Sequence, residues 1–368
     1  MGNEIGKKLS PGIQEQIKLN QEQFVKKFKR SFFGAIYDPV WKRQGLTGTD
    51  DASRSEYIKR VYRLKTRNFY LSINMKLRSL KFCICNHWRM PKIRYHGMDE
   101  FVIMAIVKNE GRYIKEWLDF HLLVGADRFY IFDNGSTDDT GEILKPYVEK
   151  GIAEVIPIPN VAQIPAYNMG ISLLKKRAKW AAIIDADEFL FPVGNTSIKE
   201  FLKSYEDAPA VGVNWVVYGP CGNKTRPEGL ITENYTKTFK NKNHDLNCRV
   251  KSIIQPSRTM CSWSSHSFVY THGDMAVDEN KCLIEGDAMY ASYGPACTWT
   301  NSSQKIRINH YWTKSEEDLR EKICKGRPDG CAQLQYESTL EVFRDDLKED
   351  HEIDKYVSLL KKRYGNTV

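Results

Sequence analysis

Residues 101–138 read FVIMAIVKNEGRYIKEWLDFHLLVGADRFYIFDNGSTD, and the fold is decided here. Phe101–Val107 is an unbroken apolar run, the pattern expected of a strand covered on both faces. The polar stretch Lys108-Asn109-Glu110-Gly111 follows. Ile114, Trp117, Leu118, His121 and Leu122 then recur at helical spacing. Gly125 is placed to stop that helix in a left-handed conformation. Asp127–Phe132 reads as a second strand, and it runs into the polar segment Asp133–Asp138.

The cycle repeats toward the C-terminus. A helix is expected from Thr140 to Glu149, with Gly151 as its stop, and a strand at Ala153–Ile158. A helix around Tyr167–Lys179 leads into a strand at Trp180–Ile184. Strands alternating with helices through short loops predict an α/β fold, a mostly parallel sheet covered on both faces by right-handed crossovers. In such sheets ligands bind beyond the carboxyl ends of the strands. The polar loops 108–111, 133–138 and 185–188 all fall on that edge.

The third loop, Asp185-Ala186-Asp187-Glu188, carries the chemistry. Residues two apart on an extended backbone share a side, so Asp185 and Asp187 can converge on one hard divalent cation. Mg²⁺ and Mn²⁺ favour oxygen ligands and complete their shells with water and substrate phosphates. Such an ion stabilises charge on a departing nucleoside diphosphate. An acidic turn capping the next helix is the bland alternative. The position at the end of a buried strand favours the metal reading.

The runs IVKNEGRYIKEWLDFHLLVGADRFYIFDNGSTDDT, QIPAYNMGI and WAAIIDADEFLFP resemble glycosyltransferases of the family-two-like group, and of these the family ninety-two type most. Lys251-Ser252-Ile253, His266, Ile308-Asn309-His310-Tyr311 and Lys314-Ser315 extend the similarity over roughly 101–325. The resemblance implies a glycosyltransferase A fold, a Rossmann-like sheet flanked by helices. It also implies a nucleotide-sugar donor with UDP-galactose as the leading choice, a divalent cation, and inversion at the anomeric carbon. Lys108, Asn109 and Glu110 would border the nucleotide, and Asp133–Ser136 would contact base and ribose. Asn134 stands where many relatives carry an aspartate, and the same DNGSTDD would also serve as a turn and helix cap. Asp185 would contact the donor as well as the metal, and His310 would return to the metal, which favours Mn²⁺ because imidazole suits it better than Mg²⁺. Lys251, Lys314 and Arg249 would neutralise phosphate. An inverting transfer needs a base for the acceptor hydroxyl. The candidates are Glu233, Asp245, Asp274, Glu285, Asp287 and His266, with Asp287 favoured and His266 serving either as base or to order the acceptor. Trp215 and Trp263 lead the aromatic residues that could stack on an acceptor sugar.

The charge of +9 is unevenly spread. Residues 1–98 hold 21 Lys and Arg against 7 Asp and Glu, while the remaining 270 hold 34 against 39. The expected organisation is a basic, mainly helical accessory region at 1–98, a catalytic domain at 99–325 and a helical segment at 326–368. A basic amphipathic region suits an anionic membrane surface, or else a solvated helical face. No stretch reaches the length of a membrane span, and MGNEIGKKLS lacks a signal-peptide core. The expectation is therefore a cytoplasmic protein, peripheral at the inner face of the membrane, acting on a glycan acceptor such as a bacterial surface polysaccharide. The N-x-S/T sequons at Asn195, Asn223, Asn234 and Asn301 carry little weight in that setting. Nine scattered cysteines, with only Cys83 and Cys85 close together, do not make a disulfide or zinc framework. Two rival classes remain. A nucleotidyltransferase or sugar-nucleotide pyrophosphorylase would need a Gly-rich phosphate loop, and VKNEG is poor in Gly. A non-catalytic module would bind nucleic acid or membrane through the basic region. The usual RNA-binding signatures are missing, so nucleic acid is not an expected partner.

Overall fold

The computed structural model describes residues 97–282, 284, 298, 301–325, 334–344 and 346–365, together with helical positions within 66–85. The rest of the basic N-terminal region and the base candidates Glu285 and Asp287 lie outside the described residues.

The chain opens with β1 (Asp99–Val107), α1 (Gly111–Val124), β2 (Arg128–Asp133), α2 (Thr140–Glu149), β3 (Ala153–Pro157), α3 (Gln163–Leu174) and β4 (Ala178–Ile183). Strand β1 pairs in parallel with β2 on one side and β4 on the other, and β2 pairs in parallel with β3. Side chains alternate across β1. Phe101, Ile103, Ala105 and Val107 join the core on the α1 face. Val102 and Met104 join a second core with Tyr167, Ile171 and Leu174 of α3. Both faces are therefore buried, which is why the run reads as continuously apolar.

Gly125 ends α1 at φ 113°, and its N–H donates to the carbonyls of His121 and Leu122. Gly151 follows α2 at φ 67°. The third helix differs from expectation. It starts at Gln163, because Pro165 is tolerated in a first turn, where the missing N–H has no partner to lose. It stops at Leu174, and β4 begins at Ala178 because that residue pairs with Asp99 at the start of β1.

Beyond β4 the sheet turns mainly antiparallel, with one parallel pair, β11 on β6. It is built from β5 (Glu188–Pro192), β6 (Ala210–Tyr218), β7 (Lys237–Phe239), β8 (Val250–Ile254), β11 (Ile306–Tyr311) and β12 (Leu347–Glu349). The path runs β12-β7-β6-β8-β4-β1-β2-β3, with β11 between β5 and β6. The architecture is α/β with a mixed sheet, parallel from β3 to β4. A hairpin of β9 (Thr259–Ser262) and β10 (Phe268–Tyr270) stands apart. Short helices α4 (Ile198–Lys203) and α5 (Ile231–Asn234) lie between strands. Helices α6 (Glu316–Lys325), α7 (Tyr336–Glu341) and α8 (Asp354–Gly365) close the chain. Tyr356, Val357 and Leu360 of α8 pack into the same core as α1, and β12 pairs with β7.

Candidate active site

Register assembles the site. Helix α1 fixes β5, since the Trp117 indole N–H donates to the Glu188 carbonyl at 2.8 Å. The Leu190 N–H donates to His121 Nε2 at 3.1 Å, while His121 Nδ1 bonds the Trp117 carbonyl. Burial lowers the His121 pKa to about 3, so the ring is neutral and can do both. Strand β11 pairs antiparallel with β5, placing His310 opposite Glu188, one residue past Asp187. The Tyr311 N–H donates to the Asp187 carbonyl at 2.9 Å. His310 Nε2 then lies 3.5 Å from Asp187 Oδ1. Strand β8 pairs Ile253 with Ala182, and continuing that register puts Lys251 opposite Ile184, from where its Nζ reaches Asp185 Oδ2 at 2.7 Å.

These groups wall a cavity of about 430 Å³ at the carboxyl edge of β1 and β4. Its lining includes Lys108, Glu110, Asn134, Gln163, Asp185 and Asp187. On the far side stand Trp215, Arg249, His266, His310, Lys322 and Lys325. Lys322 Nζ bonds Asp187 Oδ2 at 2.8 Å and the Trp312 carbonyl at 2.8 Å. Burial opposes the charge on Asp187, but Lys322 and His310 outweigh it and hold the carboxyl well below the usual carboxylate range. Burial lowers the His310 pKa, with Asp187 working against the shift. Glu110 is pushed up by burial, with Lys314 and Lys325 working against the shift. Glu188, fully buried, is pushed well above the usual range by burial despite Lys251, with Asp185 and Asp187 adding to the rise.

Helix α6 delivers the two lysines, and its first turn is locked. The Ser315 hydroxyl accepts from the Asp318 N–H at 3.1 Å, while Asp318 Oδ2 accepts from the Ser315 N–H at 3.2 Å, a reciprocal cap. Asp318 Oδ1 also takes Arg226 Nε at 2.7 Å and the Tyr113 hydroxyl at 2.9 Å. Burial raises its pKa, but the bonds from Ser315 and Arg226 and the Lys314 charge outweigh this and hold the carboxyl below the usual carboxylate range. The stability it adds is therefore complete above the unfolded-state pKa and disappears as pH falls through the lower folded value. Asp318→Asn is expected to cost about 2 kcal/mol at neutral pH. The gap from wild type should narrow below about pH 4, read by denaturant titration at several pH values.

The sequence-predicted residues divide into two groups. Lys108, Glu110, Asn134, Asp185, Asp187, His266, His310, Arg249 and Trp215 line one cavity. Asn109, Asp133, Lys251 and Lys314 do not, and each departure has a physical cause. Asn109, at φ 55°, accepts the Thr137 N–H at 2.7 Å, and its own N–H donates to Ser136 Oγ at 2.9 Å. Asp133 Oδ1 accepts the Ser136 N–H and hydroxyl at 2.9 and 2.7 Å, so its side chain shapes its own turn. The two loops are zipped together, and a Cβ on Gly111 would lie 1.8 Å from Asp139 Oδ1, which explains the glycine in VKNEG. Lys251 is buried and ion-paired to Asp185 at 2.7 Å. Lys314 lies over the Tyr113 ring at 4.9 Å. Of the other base candidates, Glu233 pairs with Lys361 and Asp274 with Arg258, and neither they nor Asp245 line the cavity. Trp263 lines a different cleft, beside Phe82 and Pro165. Lys322, Lys325 and Gln163 escaped the residue-level reading. The first two sit on an ordinary amphipathic helix with no local mark, while Gln163 opens the quoted QIPAYNMGI.

A divalent cation fits the Asp187 corner. Asp187 offers oxygen, and His310 offers an imidazole nitrogen within 3.5 Å. That donor set suits Mn²⁺, with phosphate oxygens and water filling the remaining positions. Among the described residues, no three His, Cys, Asp or Glu side chains converge to hold an ion unaided. Asp185, predicted as a further ligand, is bonded to Lys251, because a buried ammonium requires a carboxylate partner. Three buried polar atoms in the cavity wall, His310 Nδ1, Trp215 Nε1 and Asn134 Oδ1, have no hydrogen-bond partner among the described residues. Buried polar atoms nearly always have partners, so these three await a polar ligand.

Acids and cations gathered around one cavity at this sheet edge are what a group-transferring enzyme with a phosphorylated donor requires. Sequence comparison narrows the class. The profile of glycosyltransferase family 92 matches residues 103–322, and the chain belongs to that family. Its mixed sheet, parallel from β3 to β4, agrees with the glycosyltransferase A fold expected from the sequence. It is similar to a glycosyltransferase family 92 protein of Ricinus communis, 27% identical over 179 residues, which cover 45% of this chain and 30% of that one. It is also similar to the galactan β-1,4-galactosyltransferase GALS2 of Arabidopsis thaliana, 29% identical over 105 residues, 26% of this chain and 20% of that one. The chain thus spans less than a third of the length of these relatives. Among solved structures, S. aureus TarS 1–349 aligns at 15% identity and a TM-score of 0.31, covering 69% of this chain and 68% of that one.

Proposed function

We propose that the enzyme carries out a metal-dependent, inverting transfer of a hexose, galactose first among the choices, from a UDP-sugar to a glycan acceptor. The observation that carries this reading is the Asp187–His310 pair facing Lys322 in a cavity that Arg249 and Lys325 also line. Similarity to a galactan galactosyltransferase supports galactose, and family membership supports a transferase over a pyrophosphorylase or a non-catalytic module.

When bound through Asp187 and His310, Mn²⁺ would supply Lewis-acid stabilisation of the departing diphosphate. Lys322, Lys325 and Arg249 neutralise phosphate charge, and Asn134 offers its free amide oxygen to the nucleotide. Trp215 stands between His266 and His310, ring centroids 5.0 and 4.2 Å away, and offers its free indole N–H. His266 donates from Nδ1 to the Val250 carbonyl at 2.8 Å, leaving Nε2 as an acceptor. Burial and the Lys251 charge lower its pKa to about 3. A ring so weakly basic orders an acceptor hydroxyl better than it removes the proton. Asp287 is the base in this reading. Contact of residues 1–98 with an anionic membrane belongs to the same reading, as does action at its cytoplasmic face on a surface glycan. Among the described residues no helix is long and apolar enough to cross a membrane.

A panel of nucleotide sugars with Mn²⁺, scored by nucleoside diphosphate release, tests the proposal. UDP release from UDP-galactose with a glycan acceptor is the expected result, and pyrophosphate production would overturn it. A second prediction concerns Lys322. Its ammonium occupies Asp187, so a cation binding without nucleotide must displace it. Lys322→Met is expected to raise nucleotide-free Mn²⁺ affinity about tenfold and to weaken UDP binding, both measured by calorimetry. Equal Mn²⁺ affinity in both proteins would remove Lys322 from the site.

A further inference from the structure

The described residues within 66–85 are helical, and they divide cleanly by face. Phe69, Tyr70, Ile73, Leu77, Leu80 and Ile84 are all between 42% and 67% exposed. At 100° per residue they fall within an arc of about 100°. Lys76 and Lys81, both exposed, flank that arc on its two sides. The opposite side holds buried Ser72 and Ser79 and half-buried Phe82. It packs on the catalytic domain, where Asn168 Nδ2 of α3 donates to Ser79 Oγ at 3.2 Å. An apolar stripe turned outward on a helix already anchored by its other face is uncommon in a monomeric soluble protein and marks an interaction surface.

Charge identifies the partner. Residues 57–98 contain 11 Lys and Arg and no Asp or Glu. Nucleic acid would also answer to that charge, but it offers nothing to four exposed aliphatic side chains, whereas a bilayer takes both. We propose that this face docks on an anionic membrane surface, with Ile73, Leu77, Leu80 and Ile84 entering the headgroup boundary and Lys76 and Lys81 meeting lipid phosphates. This deepens the membrane-facing reading of residues 1–98 and rests on it. Phe82 and Ser79 border Ile164 and Pro165 in one cleft, and the preceding residue, Gln163, lines the catalytic cavity. The first turn of α3 thus joins the docking helix to the catalytic cavity, and docking presents that cavity to acceptors carried at the membrane.

Flotation of the full chain with phosphatidylcholine vesicles, with and without about 30% phosphatidylglycerol, tests this. Binding is expected with the anionic vesicles alone and should fall in about 0.5 M salt. Leu77→Asp/Leu80→Asp is expected to weaken binding about tenfold or more, and Lys76→Glu/Lys81→Glu, which alters exposed charge alone, to weaken it independently. Nucleotide-sugar hydrolysis without vesicles should be unchanged in both variants, which separates failure at this face from failure of the catalytic reading. Unaltered vesicle binding in both variants overturns the proposal. So does displacement from vesicles by duplex DNA at equal salt, or loss of a dimer in the leucine variant without loss of vesicle binding.

Discussion

Asp187→Ala is expected to lower kcat by about a thousandfold or more while the unfolding midpoint stays close to that of the wild type. The geometry makes this the most sensitive position in the cavity. Asp187 is the carboxylate that His310 Nε2 approaches, at 3.5 Å, and the one that Lys322 grips at 2.8 Å. Lys322 and His310 hold its carboxyl well below the usual carboxylate range in spite of burial, which favours the charged form that a cation needs. Loss of the carboxylate would remove the oxygen ligand of the proposed site and leave His310 alone. Lys322 keeps the Trp312 carbonyl and is about a third exposed, so no charge is stranded and the fold has little reason to suffer. Asp187→Asn should behave alike, because an amide oxygen keeps the shape without the charge. Steady-state UDP release and circular dichroism on the same preparations are the measurements, with excess chelator on the wild type as a parallel. Wild-type turnover in either variant would falsify the metal reading.

Lys251→Met is expected to destabilise the protein by about 3–5 kcal/mol, measured by denaturant unfolding. Lys251 is 1% exposed, with Nζ 2.7 Å from Asp185 Oδ2 and 3.8 Å from Glu188 Oε1. Its pKa is raised, because the two carboxylates outweigh the burial penalty. Replacing the ammonium with a methyl group strands the Asp185 charge at the inner wall of the cavity. Glu188, already pushed toward its neutral form, bears less of the cost. Asp185 is about a third exposed and can recruit water from the cavity, which places the loss at the lower end of the range. Because Lys251 does not line the cavity, UDP affinity should fall less than stability does. A change within about 0.5 kcal/mol, the size of an ordinary surface substitution, would show that this ion pair does not hold the wall.

The parallel half of the sheet and the D-x-D edge were written in local pattern. FVIMAIV had to be a doubly covered strand, Gly125 had to end its helix, and Asp185 and Asp187 had to emerge where a buried strand runs out. Each of those follows from side-chain period or backbone conformation within a few residues, so neighbours along the chain suffice. The 133–138 loop was legible in position but not in the use of its side chains. Asp133 serves its own turn while Asn134 reaches the cavity, and only the packed backbone separates the two.

Tertiary structure decided everything that depends on strands and helices far apart in sequence. The antiparallel half of the sheet places β11 against β5, and that register alone sets His310 beside Asp187, more than a hundred residues away. The approach of β8 to β4 buries Lys251 on Asp185 and turns an expected phosphate ligand into a structural counterion. Helix α6, capped by Ser315 and Asp318, carries Lys322 and Lys325 into the cavity from a stretch of sequence that looks like any solvated helix. Local periodicity records which face of an element is covered, but it holds no record of what covers it. That partner is set by pairing and packing among distant segments, and those exist only once the chain has closed on itself.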